Sequence, residues 1–242
     1  MKQRSQVRFI LEGLEGFAIL GSVLLTWPLT KNWLKNWGSR SLERERIYPG
    51  DQLVSPDHET YTRAITIAAS AETVWRWIVQ FGLGRAGFYS YELLERLIGI
   101  PVTNVESIEP AMQSLAVGDK IRLHPKVRGI PIALLQSGEH ICFGEYYDLR
   151  AMATKPDPVR SWSFYIEPTA ADSSRLLLRG CIEPVRARSW LKRMAIAFEE
   201  PIDFVMEQRM LRTVKRLAEL PGRKLVRNLP AGAARQPWGK IG

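Results

Sequence analysis

The sequence predicts an α+β fold: a curved antiparallel β-sheet wrapped around a long C-terminal α-helix, with two short helices after the first strand and an apolar helix at the N-terminus. Three observations point there. In Tyr61–Ala68, Thr62, Ala64, Thr66 and Ala68 alternate with Tyr61, Arg63, Ile65 and Ile67, the period of a strand. Short strand-like runs separated by Gly, Pro and Asp fill residues 102–183 at hairpin spacing, the pattern of an antiparallel meander. From Pro201 onward, Met206, Met210, Val214 and Leu217 recur on one side of a helix, while Gln208, Arg209, Arg212, Lys215, Arg216 and Glu219 cover the other. Such a helix must bury its apolar stripe against a sheet face. A curved sheet that grips it encloses a hollow unless large side chains fill the space.

In chain order, the first element is residues 1–38. A basic start (Lys2, Arg4, Arg8) leads into Phe9–Leu29, apolar except for Glu12, Glu15 and some small residues. Gly16–Leu29 alone falls short of the ~20 residues of a bilayer span. Counted from Phe9 the run covers roughly 31 Å of helix at ~1.5 Å per residue. Trp27, Trp33 and Trp37 interleave with Lys31 and Lys35, a mixture found at membrane interfaces. Two readings stand: a membrane anchor, with Glu12 and Glu15 near headgroups or facing a partner, and an amphipathic helix packed on the domain. No small-x-small cleavage site follows the run, which argues against a signal peptide. The expected location is cytoplasmic, with Phe9–Leu29 as the segment that would associate with a membrane.

Residues 39–60 are polar and turn-rich and read as a linker. After the first strand, Ser70 is placed to cap a helix over Ala71–Phe81 that turns Val74, Trp77, Ile78 and Phe81 to one side. Gly82, Gly84 and Gly87 end it, and a second helix, Ser90–Ile98, turns Leu93, Leu94 and Leu97 inward. Strands are expected at Lys120–Leu123, Pro131–Leu135, His140–Leu149, Ser161–Glu167 and Arg175–Glu183. A helical segment, Ser189–Leu220, is expected to be interrupted at Pro201. Residues 61–220 thus form the domain, and 221–242 read as a basic disordered tail.

Apolar residues make up 45% of the 242 and charged residues 24%, which excludes a wholly disordered, fibrous or polytopic membrane chain. The net charge of +9 suggests an anionic partner, but its distribution is uneven. Residues 1–60 carry +1, 61–183 carry 0 and 184–242 carry +8. A neutral central domain offers no phosphate-tracking stripe, so nucleic acid is not an expected partner. Two cysteines and three scattered histidines supply neither a disulfide framework nor a four-ligand zinc site. His140 and Cys142 share a strand face, which permits a Cys–His pair but no convincing metal site. No metal and no cofactor is expected.

Residues Thr62–Gly99, with the string GRAGFYSYELLE at Gly84–Glu95, resemble the SRPBCC superfamily, which includes START lipid-binding domains and polyketide cyclase/dehydrase proteins. Three further strings match in order: YPGDQLV (Tyr48–Val54), LAVGDKIRL (Leu115–Leu123) and DFVMEQRML (Asp203–Leu211). The resemblance implies a helix-grip fold with a hydrophobic ligand cavity between sheet and C-terminal helix, its mouth formed by loops beside the short helices. It does not fix the function, because the superfamily holds carriers, receptors and enzymes.

The candidate ligand residues follow from that placement. Arg85, Phe88, Tyr89, Tyr91 and Glu92 lie between the two short helices, where hydroxyls and a guanidinium could hold the polar end of an apolar ligand. The alternative is that the tyrosines pack the loop while Arg85 pairs with Glu92 or Glu95. GLGRAG follows a helix and lacks Lys-Ser/Thr, so it is not a phosphate loop. Asp203 and Glu207, one turn apart within or beside the apolar stripe of Met206 and Met210, form either an acid–base pair or a structural pair. Buried carboxylates need partners, and Arg63 or Arg179 on facing strands could serve. Trp77 is either core or ligand contact. Three functions remain: a binder of a hydrophobic or amphipathic small molecule, lipid- or polyketide-like, is placed first. A polyketide cyclase/dehydrase-like enzyme and a membrane-tethered accessory protein are the alternatives.

Overall fold

The computed structural model describes residues 2–144, 160–183 and 190–220, with the backbone alone for 2–5, 28 and 190–197. The elements are α1 (Lys2–Lys35), α2 (Ser41–Glu45), a 3-10 turn (Asp51–Leu53), β1 (Glu59–Ile67), α3 (Ala71–Ile78), α4 (Glu92–Leu97), a second 3-10 turn (Pro110–Met112), β2 (Lys120–Ile121), β3 (Ile130–Gln136), β4 (His140–Phe143), β5 (Arg160–Ala170), β6 (Ser173–Ile182) and α5 (Trp190–Ala218). One six-stranded antiparallel sheet runs in the order β1-β6-β5-β4-β3-β2. The expected α+β arrangement of a sheet around a long C-terminal helix is what forms. Residues 145–149 of the expected fourth strand and the tail 221–242 lie outside the described residues.

Strand alternation decides the two faces of the sheet. Ile67, Ile141, Phe143, Phe164, Leu176 and Leu178 point to the inner face and join Met210, Leu211, Val214 and Leu217 of α5 in the main core. Trp77, Ile78 and Phe81 close one side of that core. Ser70 caps α3 as expected, its Oγ accepting from the Thr73 N–H at 3.3 Å.

Two features differ from the sequence expectation, and a third bears on one that the sequence leaves open. First, α5 runs unbroken through Pro201. Proline costs the helix one backbone donor, and the packing of the stripe beyond it on the sheet holds the helix on course.

Second, residues 39–60 are a cover rather than a linker. Tyr48, Leu53 and Val54 pack with Ala64, Ala133, Cys142, Tyr165, Leu177 and Cys181 on the outer face of the sheet. Arg175 and Arg179 also project to that face and are buried, so they need counter-charges. Glu43 receives Arg175 at 2.7 and 2.9 Å, and Asp51 receives Arg179 at 2.8 and 3.1 Å. The polar composition that reads as solvated chain supplies these buried ion pairs.

Third, the N-terminal helix, read from the sequence either as an anchor or as a helix packed on the domain, is docked along the domain. Gly13 and Gly16 let it close on α4: a Cβ at Gly16 would stand 3.0 Å from both Leu94 Cδ1 and Tyr91 Cγ. Glu12 and Glu15 face a partner, Arg209 of α5, at 3.2 and 3.6 Å. At the far end Leu34 is buried with Phe204, which meets the rings of Trp33 and Trp37 at 5.6 and 6.4 Å. The Trp37 carbonyl accepts from Ala64 N–H at 3.0 Å, so this segment pairs with the free edge of β1.

Candidate ligand cavity

The hollow between the sheet and α5 has a volume of about 530 Å³. Its sheet wall carries Tyr61, Phe143 and Trp162, its α5 wall Asp203, Met206, Glu207 and Met210, and its end Phe81, Phe88 and Leu94. Phe17 and Leu20 of α1 complete the lining. Most of the surface is apolar; its polar groups are Ser90 and Glu95 at the α4 end and a cluster around the α5 wall.

Glu207 organises that wall. Its Oε1 accepts from the Tyr61 hydroxyl at 2.8 Å and from Trp162 Nε1 at 2.9 Å, while Oε2 takes Arg63 Nη1. Arg63 is 1% exposed; it also donates Nε to the Leu34 carbonyl at 3.0 Å and lies over the Tyr61 ring at 4.5 Å. Burial and the Glu207 charge push the Tyr61 hydroxyl well above the ordinary tyrosine range. Three donors on one carboxylate leave Glu207 a structural anion that fixes two aromatic side chains in the cavity wall.

Asp203, one turn earlier, is different. No hydrogen bond reaches its carboxyl among the described residues, and it lines the cavity. Its side chain is exposed into the hollow, with α5 and the facing strands on its other sides. Desolvation first, then the Glu207 charge, push it up to about 7, against the opposing pull of Arg63 and Arg160. Glu95 also lines the cavity; burial raises its carboxyl, although the Ser90 hydroxyl donates to it at 2.6 Å.

Of the residues singled out in the sequence, Phe88, Asp203, Met206, Glu207 and Met210 line the cavity. The others lie elsewhere. Arg85 pairs with neither Glu92 nor Glu95: its Nη2 donates to the carbonyls of Val79 at 3.0 Å and Met112 at 2.7 Å, and burial lowers its proton affinity. Tyr89 turns into the core at φ 56°, donating to the Trp77 carbonyl at 3.1 Å and accepting from Gln80 at 2.8 Å. Trp77 is core, 1% exposed, in a T-shaped contact with Tyr89. Tyr91 joins α1 to α5, beneath the Arg209 guanidinium at 4.9 Å. Glu92 accepts from the Asn104 N–H at 2.7 Å and from Arg96 at 3.2 Å. Arg179 belongs to the outer face with Asp51, so the partner of Glu207 is Arg63. The Cys142 thiol is on that outer face too, raised by burial and donating to the Pro49 carbonyl, which suits packing and not nucleophilic attack.

Sequence reasoning missed Tyr61, Phe81, Glu95, Phe143 and Trp162 as lining. Tyr61 and Trp162 carried a signal, since each begins the inward set of its strand. Phe17 and Leu20 carried none, because their run reads equally well as an anchor. Among the described residues no group of three His, Cys, Asp or Glu side chains could hold a metal ion.

A six-stranded antiparallel sheet closed around a C-terminal helix, with a hollow between them, makes this a helix-grip α+β protein. No protein-family model and no curated protein matches the chain. Among solved structures it is similar to an aromatase/cyclase from Streptomyces, at 16% identity over 67% of this chain and 94% of that one, TM-score 0.40. It is also similar to a di-domain aromatase/cyclase of the BE-7585A biosynthetic pathway, at 16% identity over 67% of this chain and 47% of that one, TM-score 0.35. A polyketide cyclase-like protein from Corynebacterium glutamicum matches at 14% identity over 68% of this chain and 94% of that one, TM-score 0.32. The helix-grip description rests on the strand order and helix placement given above, and these matches add no site residue.

Proposed function

We propose that the cavity takes up a hydrophobic or amphipathic small molecule of lipid- or polyketide-like chemistry. The observation that carries this reading is the hollow itself, about 530 Å³ and walled by Phe81, Phe88, Phe143, Trp162, Met206 and Met210. That volume lies within the roughly 300–1,000 Å³ of small-molecule sites. Methionines give a wall that adapts to an irregular apolar body. The polar end of the ligand would meet Asp203, whose carboxyl near 7 can donate or accept a hydrogen bond at neutral pH. The test is to incubate delipidated protein with a cell extract, re-isolate it and identify enriched compounds by mass spectrometry. A compound enriched on the wild type and lost in Met210→Trp and Met206→Trp, which fill the hollow, supports the reading. Repeated extracts that yield no enriched small molecule contradict it.

A second reading, a polyketide cyclase/dehydrase-like enzyme, is favoured by one observation: Asp203, which has no hydrogen-bond partner among the described residues, is pushed up to about 7 on the cavity wall, in the range a general acid–base requires. Arg85, Tyr89 and Tyr91 do not face the hollow, and Glu207 is fully engaged, so the chemistry would fall to Asp203. Asp203→Asn then abolishes turnover of a bound polyketide-like compound while leaving its affinity nearly intact. Unchanged turnover removes the enzyme reading.

A further inference from the structure

Helix α1 contains Gln6–Trp27, a segment long and apolar enough to cross a membrane by length and composition. One flank is already occupied by α4, by Arg209 and by Phe204. The opposite flank exposes Leu11, Leu14, Phe17, Leu25 and Leu29, the last two 86% and 92% accessible. No charged side chain stands on α1 between Glu15 and Lys31, a length of roughly 22 Å at ~1.5 Å per residue.

The hydroxyl side chains on this stretch are satisfied within the helix. The hydroxyls of Ser22, Thr26 and Thr30 donate to the carbonyls four residues earlier, at 2.9, 2.8 and 3.0 Å. Water makes no such demand, whereas hydrocarbon tolerates no unpaired donor. At the end of the stretch Lys31 lies 5.7 Å from the Trp27 ring and Trp33 is exposed, an aromatic and cationic edge suited to anionic headgroups.

The rim of the cavity continues this surface. Phe17 both lines the cavity and is exposed on α1, as are Leu97 and Ile98 at the end of α4 and Ile202 on α5. We propose that the outward face of α1 seats the protein peripherally on an anionic lipid surface with the cavity mouth turned to the bilayer, so that the cavity exchanges its ligand with lipid. The exchange rests on the ligand-cavity reading; the docking does not.

The test uses the full chain and vesicles of phosphatidylcholine with phosphatidylglycerol in a flotation gradient. Wild type floats, and Leu25→Glu/Leu29→Glu, altered only at exposed positions, loses partition by roughly tenfold or more. Leu42→Glu, an exposed leucine of α2, floats like wild type. The neutral fluorophore N-phenyl-1-naphthylamine, added without vesicles, binds wild type and the double variant alike and is lost in Met210→Trp. Wild type that stays at the bottom, or a double variant that floats equally well, overturns the docking. So does a wild-type dimer in ultracentrifugation that the double variant dissociates, which makes a second copy the occupant. Resistance of wild type to alkaline carbonate extraction overturns peripheral seating in favour of a span. Flotation without fluorophore binding leaves the docking standing and removes the cavity reading.

Discussion

Glu207 and Asp203 sit one helical turn apart on α5, yet their surroundings give them opposite chemistry. Glu207 answers the buried Arg63, so Glu207→Gln leaves a guanidinium without its counter-charge. Removing one partner of a buried pair costs about 3–5 kcal/mol, and a fall in the urea midpoint with unchanged slope would show it. Arg63→Met/Glu207→Leu should recover most of that loss, since it removes both charges together. The same Glu207→Gln change relieves the like-charge repulsion on Asp203, whose carboxyl should then titrate below 7 by ¹³C NMR. A titration that stays at 7 would assign the shift to burial alone. Asp203 also sets a pH dependence. Its folded pKa lies above the unfolded value, so the native state binds the proton more tightly. The stabilisation is complete below pH ~4 and is lost as pH rises through about 7. Asp203→Asn should therefore flatten the decline of stability between pH 4 and 7, and Glu95, also raised by burial, keeps it from vanishing. A decline as steep in Asp203→Asn as in wild type would contradict the assignment.

At the scale of elements, α1 is set by two glycines with different neighbours. Gly16 stands against Tyr91 and Leu94, whereas a Cβ at Gly21 meets nothing within 4 Å. Gly21→Ala should stabilise the helix by about 1 kcal/mol, the ordinary propensity gain. Gly16→Leu cannot fit and should release the N-terminal half of α1, seen as faster proteolysis within residues 2–16 while the sheet keeps its hydrogen-exchange protection. Equal protease resistance of Gly16→Leu and wild type would mean that the glycine contact does not hold the helix. The same element shows why the sequence was readable in part. Alternation in β1 and in Ser161–Glu167 and the methionine stripe of α5 are repeating patterns, and they gave the sheet, the helix and four of the cavity residues. Loop directions do not repeat. Arg85 reaches the Val79 carbonyl because the chain doubles back in a Gly82–Gly87 bridge, with both glycines at positive φ. Alternation also groups Arg175 and Arg179 on one face without saying which face meets α5; only the pairing of β6 with β1 decides that.

On the scale of the whole molecule, the question is where the domain begins. Composition draws a boundary after residue 38, but the contacts cross it. The Leu34 carbonyl accepts from buried Arg63, the Trp37 carbonyl covers the free edge of β1, and Trp37 packs on the main core. Gly38, at φ 70°, fits because a Cβ there would collide with the Ala64 carbonyl oxygen, and its own carbonyl accepts from Arg175. Residues 34–38, the end of α1 and the turn after it, are thus tied to β1 and the core, while the rest of α1 lies against α4 and α5. A chain starting at Lys31 should keep a single cooperative unfolding transition, with a faster release of hydrophobic probe because Phe17 and Leu20 no longer wall the cavity. A chain starting at Ser39 loses the Arg63 and Ala64 bonds and the Trp37 packing as well. Buried donors left unpaired cost about 1–3 kcal/mol each, and removal of a packed aromatic costs about 3–5 kcal/mol. The second truncation should therefore be less stable than the first by at least about 4 kcal/mol, close to the whole stability of many small domains. Urea unfolding followed by circular dichroism separates the two chains. Coincident midpoints would place the physical boundary at residue 38 after all.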